Sequence, residues 1–177
     1  QTATEFAIQN LDKAGDNIVS STDLYGGSWT LFSNTLKDMG IEVRFVDPSN
    51  PKAFDEATDD KTRAYYAETL PNPKLSVFPI SEVSAIGKKY GIPLIVDNTA
   101  APVICQPIKY GAAIVVYSLT KYIGGHGNSI GGLIVDSGNF DWESAGKVRQ
   151  PALNTPDPSY GGVIWVDAVK PLGPIAY

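Results

Sequence analysis

Pro93-Leu94-Ile95-Val96-Asp97 is a short apolar run closed by a carboxylate, and Ile114-Val115-Val116-Tyr117 is a second such run, leading into Ser118-Leu119-Thr120-Lys121. Runs of this kind, without polar alternation, suit strands buried on both faces of a parallel sheet. Working back from them, Arg63–Glu68, Glu42–Asp47 and Asn17–Ser21 read as further strands. Gly131–Val135 reads as the last. Between them, helical spacing of apolar residues predicts helices over Thr4–Ala14, Ser28–Met39, Pro51–Thr58 and Ile80–Tyr90. Gly15, Gly40 and Gly91 follow three of these as stops. A leading helix, repeated β-α units and two closing strands predict an α/β fold: a doubly wound, mostly parallel sheet flanked by helices. From Asp136 the pattern decays. Residues 150–177 carry Pro151, Pro156, Pro158, Pro171 and Pro174 and read as a connection. No closing helix follows, and an incomplete domain is expected.

Composition narrows the function. The 177 residues hold 14 Lys and Arg against 19 Asp and Glu, a net charge of -5. That balance lacks the basic footprint expected for nucleic acid or an anionic membrane surface. One Cys and one His exclude a disulfide framework and argue against a Cys- or His-rich metal site. No apolar run approaches the ~18 residues of a membrane span, and no signal peptide is read at Gln1–Glu5. The expectation is a cytoplasmic α/β protein with no metal, no nucleic-acid partner and no membrane partner.

In open α/β sheets ligands bind beyond the carboxyl ends of the strands. Tyr25-Gly26-Gly27 follows the first strand, and Asn72 lies between Pro71 and Pro73 after Glu68. Asp97-Asn98-Thr99 ends the PLIVD run. Ser118, Thr120 and Lys121 precede the flexible Gly124-Gly125-His126-Gly127. An aromatic ring, an amide, a carboxylate, two hydroxyls and a lysine therefore gather at one sheet edge, a set suited to a flat, phosphorylated cofactor with a cationic ring. No G-x-G-x-x-G follows a strand and no G-x-x-x-x-G-K-[ST] occurs, so nucleotide signatures are missing.

These segments resemble the pyridoxal-phosphate (PLP) enzymes of cysteine and methionine metabolism, and within them most closely the O-acetylhomoserine sulfhydrylases. The resemblance rests on Val96–Thr99 and Tyr117–Gly127, with Leu24–Gly27, Glu68–Pro73 and Pro156–Tyr160 in the same order and similar spacing. It covers nearly the whole chain. It implies the large domain of PLP fold type I, with residues 1–150 the cofactor domain and 151–177 leading toward a C-terminal domain. It also implies homodimers or homotetramers.

The resemblance makes Lys121 the Schiff-base lysine and the catalytic residue. An amine attacks an aldehyde only when deprotonated, and lysine shifts its pKa readily on burial. Asp97 is placed at the pyridine nitrogen, keeping the ring an electron sink. Tyr25 is placed on the ring face, Asn72 near the phenolic oxygen, and Ser118 and Thr120 at the phosphate. The structural alternatives are a strand-end cap for Asp97, turn chemistry for Asn72 and local backbone capping for the hydroxyls. His126 reads as a loop-packing residue and Cys105 as a small buried hydrophobe.

The implied activity is γ-replacement on O-acetyl-L-homoserine with a sulfur nucleophile, giving homocysteine for methionine biosynthesis. Cystathionine γ-synthase or γ-lyase chemistry is the near alternative; those relatives more often carry Asn-Gly-His after the lysine. A non-catalytic scaffold of the same fold is the other. Ser118–Lys121 also fits S-x-x-K of the penicillin-binding enzymes, but the accompanying S-D-N and K-T-G are missing. The family's upstream phosphate loop does not occur in the sequence. Nor do the substrate-gripping arginine of its C-terminal domain and the tyrosine and arginine lent by a neighbouring subunit. Ala113 stands where the family usually has an acidic residue.

Overall fold

The structure, a computed structural model, describes residues 1–143, 146–169 and 175–176. Strands β1 (Asn17–Ser21), β2 (Glu42–Val46), β3 (Thr62–Glu68), β4 (Leu94–Asp97), β5 (Ile114–Ser118), β6 (Gly132–Asp136) and β7 (Ile175–Ala176) form one sheet in the order 2-1-3-4-5-6-7. The first five run parallel. The expected mostly parallel architecture is therefore present, and the order turns back between β1 and β3. β6 pairs antiparallel with β5, and β7 antiparallel with β6.

Apolar residues alternate across the inner strands and feed two cores. Ile18, Ala64, Tyr66, Ile95, Ile114 and Val116 face one side, under α1 (Thr2–Gln9) and the helix of residues 26–38. Val19, Tyr65, Ala67, Leu94, Val96 and Val115 face the other. There they meet Phe54 of α4 (Pro51–Glu56) and Val83 of α5 (Ile80–Tyr90). Each large side chain withdrawn this way contributes about 1.5–3 kcal/mol. Tyr65 and Tyr66 are neighbours in sequence, yet they serve opposite cores. Tyr66 packs edge-on to Phe32 and Tyr65 to Phe54.

Residues 26–38 are helical but not uniformly so. α2 (Gly26–Thr30) passes through a π turn at Leu31–Thr35 into α3 (Leu36–Asp38). The wider turn brings Leu31 and Leu36, five apart, onto the buried face together with Phe32, while Met39 is left exposed. α1 ends at Gln9, short of the expected Ala14, and the chain turns so that Leu11 still reaches the core. α5 matches its expected span residue for residue. It closes on Gly91 at φ 69°, a left-handed position that glycine takes without strain.

Beyond β6, α6 (Gly146–Arg149), α7 (Pro151–Asn154) and α8 (Trp165–Val169) are short helices that the proline-rich sequence did not announce. Pro171 and Pro174 lie outside the described residues. No helix among the described residues is long and apolar enough to cross a membrane.

Candidate active site

The site is built where the parallel strands end. Across β3, β4 and β5, Glu68 is in register with Asp97, and Asp97 with Val116, so the residues that follow emerge side by side. Ser118 closes β5, and its backbone N–H donates to Thr99 Oγ1 at 2.7 Å, which joins the ends of β4 and β5. Asn98, fully buried, braces the same edge. Its Nδ2 donates to the Cys105 carbonyl at 2.9 Å and to the Tyr117 hydroxyl at 3.2 Å, and its Oδ1 accepts from Thr69 Oγ1 at 2.8 Å.

Asp97 is partly buried and accepts from the Thr99 N–H at 2.8 Å through Oδ1. The Tyr66 hydroxyl makes a long contact to Oδ2, at 3.5 Å. Burial raises the Asp97 pKa, and the Thr99 hydrogen bonds oppose that rise. Among the described residues Asp97 makes no salt bridge to a lysine or arginine. A desolvated carboxylate without a lysine or arginine partner among the described residues, at the carboxyl end of a central strand, fits the ring nitrogen of a pyridinium cofactor.

Tyr25 caps the start of α2 and is 47% exposed, so a ring face is open to a ligand. Gly27 permits this placement: a Cβ there would lie 2.7 Å from Tyr25 Cε1 and 2.7 Å from Gln1 Nε2. Asn72 sits on an exposed turn preceding Pro73, across a cis peptide. Lys121 is also exposed, three residues past the end of β5. Thr120 Oγ1 accepts from the Gly131 N–H at 3.1 Å, which is the local bridging reading of that hydroxyl. The same hydroxyl donates to the Gly131 carbonyl at 3.4 Å, so a phosphate contact would have to displace that long bond. His126 is exposed rather than packed, and Cys105 is partly buried against the second core.

Glu68 carries no expected role in the sequence, although it opens the Glu68–Pro73 segment. It is 7% exposed, and its Oε1 accepts from the Tyr25 N–H at 2.7 Å. Burial pushes its pKa up to about 7; the backbone bond from Tyr25 opposes this, and the Asp97 charge adds to it. A glutamate ending an otherwise buried strand was the available signal. Tyr66, fully buried beside both carboxylates, has its hydroxyl pKa raised well above the ordinary value by burial and then by Asp97 and Glu68. A groove of about 970 Å³ runs along Phe6, Leu11, Ile134, Trp142 and Trp165, and none of the expected site residues lines it. No cluster of metal-ligating side chains occurs among the described residues.

Residues 1–164 match the family described as Cys/Met metabolism PLP-dependent enzyme. An O-acetyl-L-homoserine sulfhydrylase of Leptospira meyeri is 50% identical over 164 residues, 92% of this chain and 36% of its own length. The homocysteine/cysteine synthase of Saccharomyces cerevisiae is 48% identical over 100% of this chain and 39% of its own length. A Campylobacter jejuni protein assigned as O-acetylhomoserine (thiol)-lyase, solved with N'-pyridoxyl-lysine-5'-monophosphate, superposes at TM-score 0.86 with 39% identity. That superposition covers 93% of this chain and 40% of the other. The chain thus spans about two-fifths of the length of these relatives. It belongs to the Cys/Met-metabolism family of PLP-dependent enzymes and has the fold of their type I large domain.

Proposed function

We propose that this member of the family serves an enzyme that carries out γ-replacement on O-acetyl-L-homoserine with a sulfur nucleophile, yielding homocysteine. The reading rests above all on one observation. Residues at or beyond the ends of β1, β3, β4 and β5 supply an exposed tyrosine, an amide, a desolvated carboxylate and a hydroxyl-flanked lysine at one sheet edge. The similarity to an O-acetyl-L-homoserine sulfhydrylase and a homocysteine/cysteine synthase supports the substrate class. Identity to them exceeds the 32% to the cystathionine γ-lyase of Lactobacillus plantarum, which favours sulfhydrylation over the cystathionine alternative.

Bound PLP supplies an electron sink next to the substrate Cα. Lys121 Nζ would hold it covalently, Asp97 its ring nitrogen, Tyr25 its ring face, Asn72 its phenolic oxygen, and Ser118 and Thr120 its phosphate. Once substrate replaces it, Lys121 Nζ takes the proton from Cα and returns it. Asp97 stays ionised beside the ring nitrogen and holds the proton there. A proton also leaves Cβ and acetate leaves Cγ; the sulfur nucleophile then adds at Cγ and a proton returns to Cβ. We place this enzyme in the cytoplasm as a homodimer or homotetramer, with residues 151–177 leading from the cofactor domain to the rest of the protein.

The test is a competition among substrates. The whole protein with PLP is given O-acetyl-L-homoserine with sulfide, methanethiol or cysteine, and then O-succinyl-L-homoserine. Homocysteine formed faster from acetyl ester and sulfide than cystathionine from cysteine supports the reading. Preferential cystathionine formation or cleavage overturns it.

A further inference from the structure

We propose that Asp23 is a positioning residue of this site: its carboxylate fastens the turn that carries Tyr25 to the segment beyond Asn72, and so sets the Tyr25 ring against the cofactor. The inference rests on the PLP reading above. Thr22 still follows the sheet, its N–H donating to the Val46 carbonyl at 2.9 Å. The chain then leaves it. The Asp23 N–H donates to Ser21 Oγ at 2.9 Å, Leu24 drops into the first core, and Tyr25 emerges 47% exposed. The Asp23 side chain reaches across to another loop. Oδ1 accepts from Lys74 Nζ at 2.6 Å and Oδ2 from the Ser76 hydroxyl at 3.2 Å, over 51 and 53 residues of sequence. Lys74 and Ser76 follow closely on Asn72.

Both carboxylate oxygens are thus taken by donors from one segment. The Lys74 side chain is 67% exposed, and an ion pair between two such groups contributes little. The Asp23 side chain is only 8% exposed, and a buried carboxylate left without donors is costly, so the contact is enforced from the Asp23 side. A second tie leaves the same turn: the Tyr25 N–H donates to Glu68 Oε1 at 2.7 Å. One tie lets a turn pivot about it. Two ties, at the Asp23 side chain and the Tyr25 main chain on either side of the seated Leu24, fix the direction in which the ring leaves. An aromatic with a face open to ligand is not held by packing on that side, so its placement falls to such supporting bonds. An asparagine at this position keeps the size but offers one acceptor oxygen and an NH2 to two donors, so either Lys74 or Ser76 is released.

The experiment uses the whole protein with PLP and compares wild type, Asp23→Asn, Lys74→Met, Tyr25→Ala and the double variant Asp23→Asn with Tyr25→Ala. The readouts are the visible circular dichroism per bound cofactor, the PLP dissociation constant and the site of pyridoxyl label after borohydride reduction. Label is expected on Lys121 throughout. Asp23→Asn should lower the dichroism about twofold or more and raise the dissociation constant about fivefold or more, and Lys74→Met should move both the same way by less. In the Tyr25→Ala background the Asp23→Asn change should move the dissociation constant by less than about twofold, because the group it positions is gone. Dichroism and affinity equal to wild type in Asp23→Asn overturn the proposal. So does a full-sized effect that persists without Tyr25, which marks a merely structural role. If Asp23→Asn fails to fold, Lys74→Met decides, by whether it shifts both readouts and whether the shift vanishes with Tyr25→Ala. A wild-type protein that takes no label on Lys121 overturns the cofactor reading itself, whereas a labelled wild type with unaffected variants overturns only the role of Asp23.

Discussion

In the proposed reaction Lys121 and Asp97 divide the chemistry between them, and their substitutions should fail differently. Lys121→Ala removes the covalent attachment and the base at Cα. Turnover should drop by roughly 10³-fold or more, while PLP still binds non-covalently. Rapid dialysis and steady-state assays check this, and retained turnover would remove Lys121 from the mechanism. Asp97→Ala removes a charge-assisted bond worth about 1.5–3 kcal/mol. PLP affinity should fall about 10- to 100-fold, which fluorescence titration measures; an unchanged affinity would leave Asp97 as a strand-end cap. These residues were legible in the sequence because each follows a run whose burial could be read from composition alone, and topology rules say where such ends point. Glu68 was not. Its partner is the backbone amide of Tyr25, on a loop distant in sequence, and a pattern of side chains carries no record of it.

The elements follow the same division. β2 and α5 fall where alternation and glycine punctuation place them, because a strand's two-residue period and a left-handed stop are local properties. The π turn at Leu31–Thr35 is not local: it exists because Leu31, Phe32 and Leu36 must all reach Tyr66 and its neighbours. The reversed direction of β6 likewise leaves no trace in an apolar run, since GLIVD reads the same whichever way it pairs. What joins the strand ends is also tertiary. Asn98 connects Thr69, Cys105 and Tyr117 from a fully buried position, so Asn98→Leu orphans a buried carbonyl and a hydroxyl. The cost should be about 1–3 kcal/mol, read as a lower denaturant midpoint. An unchanged midpoint would show that the strand ends do not depend on it.

At the scale of the molecule, the two ends of the sheet are built differently. The carboxyl ends carry the residues proposed to hold the cofactor. The opposite end buries Asp12, 3% exposed, with neither carboxyl oxygen hydrogen-bonded among the described residues. Burial first, then Asp16, raises its pKa well above the ordinary value, against the pull of Arg63. The fold therefore favours the protonated acid. Stability from this group is complete below the ordinary carboxyl range and is lost as pH rises toward its folded value. Asp12→Asn removes the charge, so it should stabilise the protein at pH 7 by about 1–3 kcal/mol. That advantage should shrink as pH falls toward 4; denaturation curves at both pH values check it, and a variant less stable than wild type at pH 7 would contradict it. The central claim, however, belongs to the other end. The whole protein should be mixed with PLP, its absorbance recorded, the complex reduced with borohydride and the peptides mapped. The account predicts a yellow cofactor band and a single pyridoxyl label on Lys121. No band, or label spread over the other lysines, would contradict it and leave a scaffold of the same fold.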